Sequence, residues 1–161
     1  MTTKIAVISD THCHEWEEVH PKMRDIVAEC DIAIHCGDIV RQPVVDGFLK
    51  SAQKGIIVHG NSDPVDLRET LPYIEVIEVE QVKIGITHPA WGGPEFPPSE
   101  LFKDFDEELD IILFGHTHEP LKEDISGITE SFLAALKKES SGAVGERRMS
   151  IHFFNIILLI L

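Results

Sequence analysis

Short apolar runs, each closed by polar or glycine-rich residues, recur along most of the chain. Residues 4–9 (KIAVIS), 31–36 (DIAIHC) and 55–59 (GIIVH) are brief and rich in β-branched side chains, as expected of strands buried on both faces. The stretches between them, 17–29 and 43–54, space their apolar residues helically; Val19, Met23, Ile26 and Val27 share one face of the first. Such alternation predicts parallel β-α-β units, because parallel neighbours need a crossover between them.

The pattern changes in the second half. Residues 73–80 set Ile74, Val76, Ile77 and Val79 against Glu75, Glu78 and Glu80, and 82–87 follow after Gln81, which predicts a hairpin. Residues 97–108 read as a helix, with Pro98 in its first turn and Leu101, Phe102 and Phe105 on one face. A further buried strand is expected over 110–114. The stretch 89–98 (PAWGGPEFPP) holds too much Pro and Gly for regular structure, and following His88 directly it would place Trp91 and Phe96 beside a substrate cleft. The apolar tail 156–161, entered through 151–155, is too short to span a bilayer and suits a terminal strand or an oligomer contact. No repeat or linker interrupts the 161 residues, so one domain over 1–161 is expected, a sheet-rich α/β sandwich.

Charge narrows the function. A formal net charge of -14 and only 14 scattered Lys and Arg provide no basic stripe for a long nucleic acid. An anionic substrate would need local attraction, such as bound metal. Cys13, Cys30 and Cys36 form no CxxC and leave one unpaired, which suits a reducing cytoplasm. The first apolar run meets Asp10 too soon to be a signal-peptide core, and no membrane association is expected.

The candidate chemistry stands just after the apolar runs. The first is followed by Asp10 and His12 (D-T-H), the second by Asp38 (G-D) and the third by Asn61 (G-N-S-D). His88 follows the run ending at Thr87, and His116 and His118 (G-H-T-H) follow the run ending at Phe114. Open α/β sheets build sites at the C-terminal ends of their strands. In extended chain, residues two apart project to one side, so each D-x-H or H-x-H pair can converge on one centre. The glycines at 37, 60 and 115 leave room there that a β-carbon would fill. Carboxylate, imidazole and amide without thiolate favour manganese, iron, nickel, cobalt or zinc over a structural Cys-rich zinc site. A carboxylate can bridge two ions, and two ions roughly 3.5–4 Å apart can clamp the attacking and leaving oxygens of phosphate displacement.

In combination, D-x-H, G-D, G-N, H and G-H-x-H resemble the calcineurin-like metallophosphoesterase superfamily. The short chain, and GNSD where relatives carry GNH followed by Asp or Glu, resemble its small single-domain phosphodiesterase branch. The similarity spans about residues 4–125. It implies a four-layer αββα sandwich of two mixed sheets flanked by helices, two divalent cations with manganese first, and hydrolysis of a small phosphodiester by a hydroxide bridging them. Carried over by motif, Asp10, His12 and His118 hold one cation, Asn61, His88 and His116 the other, and Asp38 bridges both. Asp38, Asn61, His88 and His116 are also the implied catalytic set.

Two departures qualify that picture. Ser62 stands where many relatives have a His that assists the leaving group, which favours diesters over monoesters. Residues 129–144 (TESFLAALKKESSGAV) are helix-like in composition and lack the N-P-G-S-like segment of the small branch. A phosphomonoesterase, or a metal-binding scaffold without turnover like the retromer subunit of this fold, are the competing expectations. Among the other polar residues, His35 and His59 read as core or supporting histidines, His14 and His20 as exposed, and Asp63 as positioning the G-N loop.

Overall fold

A computed structural model describes residues 3–89, 98–117, 135–137 and 150–153. The strands are β1 (Lys4–Ile8), β2 (Ile32–Cys36), β3 (Gly55–Val58), β4 (Ile74–Val79), β5 (Val82–Thr87), β6 (Ile111–Phe114), β7 (Ala135–Lys137) and β8 (Ser150–Phe153). The α-helices are α1 (Pro21–Glu29), α2 (Gln42–Ser51) and α3 (Val65–Thr70), and 3-10 helices cover Trp16–Glu18 and Pro98–Asp104. One sheet has the order β3-β2-β1-β8 and is parallel at every pairing. The other has the order β4-β5-β6-β7 and is mixed, with β5 and β6 parallel and its outer pairs antiparallel.

Strand periodicity sorts the side chains into layers. Ile5, Val7, Ile32, Ile34, Cys36 and Val58 point from the parallel sheet onto Val79, Ile84, Ile86 and Leu113 of the mixed one. Ala6, Ile8, Ala33 and Ile57 point the other way, onto Met23 and Val27 of α1, Val44, Val45 and Phe48 of α2, and Leu67 of α3. On the far side of the mixed sheet, Ile112 and Phe114 lie under Leu101, Phe105 and Leu109. The protein is therefore the four-layer αββα sandwich. Burial on both faces explains why β1 and β2 read as unbroken apolar runs.

Several boundaries differ from the sequence reading. The expected helix over 17–29 is split: Trp16–Glu18 makes one 3-10 turn, and α1 begins at Pro21 behind extended Val19. Proline supplies no N–H and suits a first helical position, so the chain restarts there. The expected helix over 97–108 is the 3-10 segment Pro98–Asp104. Asp104, Asp106, Glu107 and Glu108 crowd the end where a longer α-helix would carry its negative pole. The six-residue α3 was unforeseen; with only Leu67 buried, it has no periodic signal. Within the helix-like stretch 129–144, Ala135–Lys137 is a strand paired antiparallel to β6, the sheet edge overriding helix propensity; the rest of that stretch lies outside the described residues. β8 takes up the entry to the apolar tail; residues 156–161, read as a terminal strand or an oligomer contact, lie outside the described residues.

The hairpin is present. Glu80 and Gln81 join β4 to β5 with φ of 50° and 72°, the doubly left-handed turn that matches strand twist. Glu80 Oε1 accepts from Thr3 N at 3.1 Å and Thr3 Oγ1 at 2.6 Å, which ties the turn to the start of β1. Among the described residues, no helix is long and apolar enough to cross a membrane.

Candidate metal centre

The loops after β1, β2, β3, β5 and β6 bring Asp10, His12, Asp38, Asn61, His88 and His116 into one cleft. His118, Trp91 and Phe96 lie outside the described residues. Backbone bonds join the first two loops: Asp10 N donates to Gly37 O at 3.0 Å and His12 N to Asp38 O at 3.3 Å. Asp10, His12, Asp38, Val40 and His116 all have φ between 46° and 90°. Side chains rarely adopt that region, and such strain gathers where geometry is held for function.

Asp38 has candidate ligand atoms on two sides. One ligand atom each from Asp10, His12 and Asp38 lie within 4.8 Å of one another. Asp38 Oδ2 is 3.8 Å from His12 Nε2 and 3.5 Å from His88 Nε2. Asn61 Oδ1 is 3.1 Å from His88 Nε2 and 2.9 Å from His116 Nδ1. The His88 and His116 rings meet edge to face with centroids 5.3 Å apart, and His116 N donates to Asp10 Oδ2 at 3.2 Å. Asp38 and His88 are buried, whereas His12 and Asn61 are exposed, so the cleft opens on their side.

Chemistry fits these atoms to a cation. His88 Nδ1 lies 2.7 Å from the Cys36 carbonyl, which can only accept, so Nδ1 carries the hydrogen. In the neutral ring, Nε2 then turns a lone pair toward Asn61 Oδ1 and Asp38 Oδ2. Acceptors that face acceptors repel unless a positive charge lies among them. Thiolates do not compete. Burial, followed by the field of Asp10, pushes the Cys36 thiol well above its usual range, and burial raises Cys13, whose Sγ donates to Thr11 O.

Around this set is a layer of supporting contacts. The buried Asp63 carboxylate accepts from Asp38 N at 3.1 Å, Gly60 N at 2.6 Å and Val40 N at 2.6 Å, so one side chain joins the loops after β2 and β3. That is the loop-positioning role read for it. Ser62 donates its N–H to Asp38 Oδ1 and its hydroxyl to Asp38 Oδ2, each at 2.8 Å. Each of the three glycines abuts the cleft. A β-carbon at Gly37 would enter the His88 ring, one at Gly60 would strike Asp38, and one at Gly115 would strike Ser9 Oγ and Asp10.

His35 is fully buried, edge-on to Phe48, with Nε2 3.1 Å from Oγ1 of Thr11, which stands between the candidate ligands Asp10 and His12. Its Nδ1 has no hydrogen-bond partner among the described residues, and burial, aided by the nearby His88, lowers its pKa to about 3. His59 is half-buried against Tyr73, while His14 and His20 are exposed, His20 accepting from Lys22 N as a cap of α1. Neither the Ser62 clamp nor the Thr11–His35 contact was read from the sequence. The parity of β2, which turns His35 toward the helices with Ala33, was the available signal for the second.

Fold and candidate site together define an α/β sandwich with a group of side chains that could hold a metal ion at its parallel strand ends. The chain belongs to the calcineurin-like phosphoesterase superfamily, whose domain matches residues 3–152. A probable metallophosphoesterase of Methanocaldococcus jannaschii is 33% identical over 132 residues, which cover 79% of this chain and 65% of that protein, so the chain spans just under two thirds of that relative. A phosphodiesterase of the same organism is 28% identical over 141 residues, 78% of this chain and 79% of the other. The solution structure of a Thermotoga maritima protein superposes with a TM-score of 0.61 at 36% identity, covering 78% of this chain and 80% of that one.

Proposed function

We propose that this chain hydrolyses small phosphodiesters with two divalent cations that share Asp38, manganese being the first choice. The observation that carries the reading is the convergence of Asp38 Oδ2, Asn61 Oδ1 and His88 Nε2, three acceptors turned toward one another, beside Asp10, His12 and His116. Asp10, His12 and His118 would hold one ion; Asn61, His88 and His116 would hold the other. When bound, the pair supplies Lewis-acid charge and a water activated to attack phosphorus.

The chain's own groups do the rest. The Cys36 carbonyl keeps His88 in the tautomer that offers Nε2. Asn61 turns its oxygen to the histidines, and its Nδ2 donates one hydrogen toward Ser62 Oγ at 3.5 Å and has a second to offer a phosphoryl oxygen. Ser62 cannot act as a general acid near neutral pH, so esters whose leaving group departs unassisted are favoured. The phosphodiesterase name of one relative agrees with that preference.

The test is manganese-dependent hydrolysis of an aryl phosphodiester. Asp38→Asn should lower kcat by roughly a hundredfold or more, and chelation should abolish turnover. Activity indifferent to both would sink the mechanism. A chain that binds manganese stoichiometrically yet turns over neither diesters nor monoesters would be the scaffold instead, and native selectivity for monoesters would overturn the role given to Ser62.

A further inference from the structure

The two oxygens of Asp38 are not equivalent. Oδ1 receives the Ser62 N–H and lies against Gly60, where even a methyl group would collide with Asp38. Oδ2 is the oxygen that faces both His12 Nε2 and His88 Nε2, and it also receives the Ser62 hydroxyl. Asn61 Nδ2 approaches that hydroxyl oxygen at 3.5 Å, which agrees with its proton pointing at Asp38. A carboxylate oxygen offers two lone-pair sites. With the Ser62 proton on one of them, Oδ2 retains a single site for a cation.

We infer that the Ser62 hydroxyl competes with the second cation for Asp38 Oδ2, so that the two ions load in sequence and the second enters only as the hydroxyl lets go. The inference rests on Asp38 being the shared ligand. Release is easy, because Ser62 is exposed and rotation about its Cα–Cβ bond hands the proton to water. The carboxylate does not follow, since Oδ1 keeps the Ser62 N–H and Asp63 holds the Asp38 backbone. Ser62 is thus a positioning residue that sets the concentration at which the pair assembles.

Titration of the chelator-stripped protein with manganese, followed by calorimetry and by the electron paramagnetic resonance of an exchange-coupled pair, tests this without reference to turnover. Wild type should load in two steps. Ser62→Ala should leave the first Kd unchanged and lower the second about tenfold, equivalent to about 1.4 kcal/mol. Ser62→Thr, which keeps the hydroxyl, should load like wild type. An unchanged or higher second Kd in Ser62→Ala overturns the inference, as does a Ser62→Thr variant that loads like Ser62→Ala. If wild type takes up one manganese and never gives the coupled signal, the shared-carboxylate reading fails first, and by a separate readout.

Discussion

Asp63 shows how much of the cleft depends on a residue outside the ligand set. Its carboxylate accepts three backbone N–H groups from two loops. An Asn there has one acceptor oxygen, so in either orientation its amide nitrogen faces at least one of those donors. Each unsatisfied donor costs about 1–3 kcal/mol, and loss of the charge adds to it. Urea unfolding of Asp63→Asn should therefore show a deficit of about 2–4 kcal/mol; a deficit under about 1 kcal/mol would mean the loops hold each other without it. The candidate ligands of the cleft were legible in the sequence, because each stands just after a strand and strand ends are where such sites form. Ser62 was legible only as a missing acid. Its two bonds to Asp38 depend on side-chain direction within an irregular loop, which spacing does not encode.

Among the elements, the strands were readable and the helices less so. Two-sided burial leaves β1 and β2 as compact apolar runs that few alternatives fit. Helix ends depended on Pro21 and on an acidic stretch, local signals that a periodic pattern does not weigh. The hairpin was recognised from its alternation, yet its turn lacks the Asn-Gly usual for two left-handed residues. At Gln81, with φ of 72°, glycine relieves the crowding of a β-carbon. Gln81→Gly should raise unfolding stability by about 0.5–1 kcal/mol. Glu80 is the wrong place for the same change, because its side chain holds Thr3. A loss of stability in Gln81→Gly would show that the turn is not strained.

For the molecule as a whole, His35 couples stability to pH. Its folded pKa of about 3 lies below the ordinary 6.5, because burial, then the fields of His88 and His12, disfavour the charged ring. Between those values the unfolded chain binds a proton that the folded chain refuses, so stability falls as pH drops from about 6.5 toward 3. The slope from this one group is about 1.4 kcal/mol per pH unit. Denaturation of wild type and His35→Gln at pH 7, 6, 5 and 4 should show that extra slope in wild type alone. Parallel curves would mean that His35 charges inside the fold. Patterning alone pointed to a sheet-rich α/β sandwich, and the four-layer arrangement was legible only through the family resemblance of the strand-end motifs. The position of β7 was not, since a sheet edge recruited a segment with helical preferences.

The order of the parallel sheet has one more consequence. β8 is the last described strand, yet it lies beside β1, with Lys4 opposite Ser150. At ribosomal speeds the residues between them take on the order of ten seconds to make. Throughout that interval one flank of β1 has its hydrogen-bonding groups open to other chains, an invitation to edge-to-edge association. That flank closes only when β8 has been made, so the pairing is among the last the chain can complete.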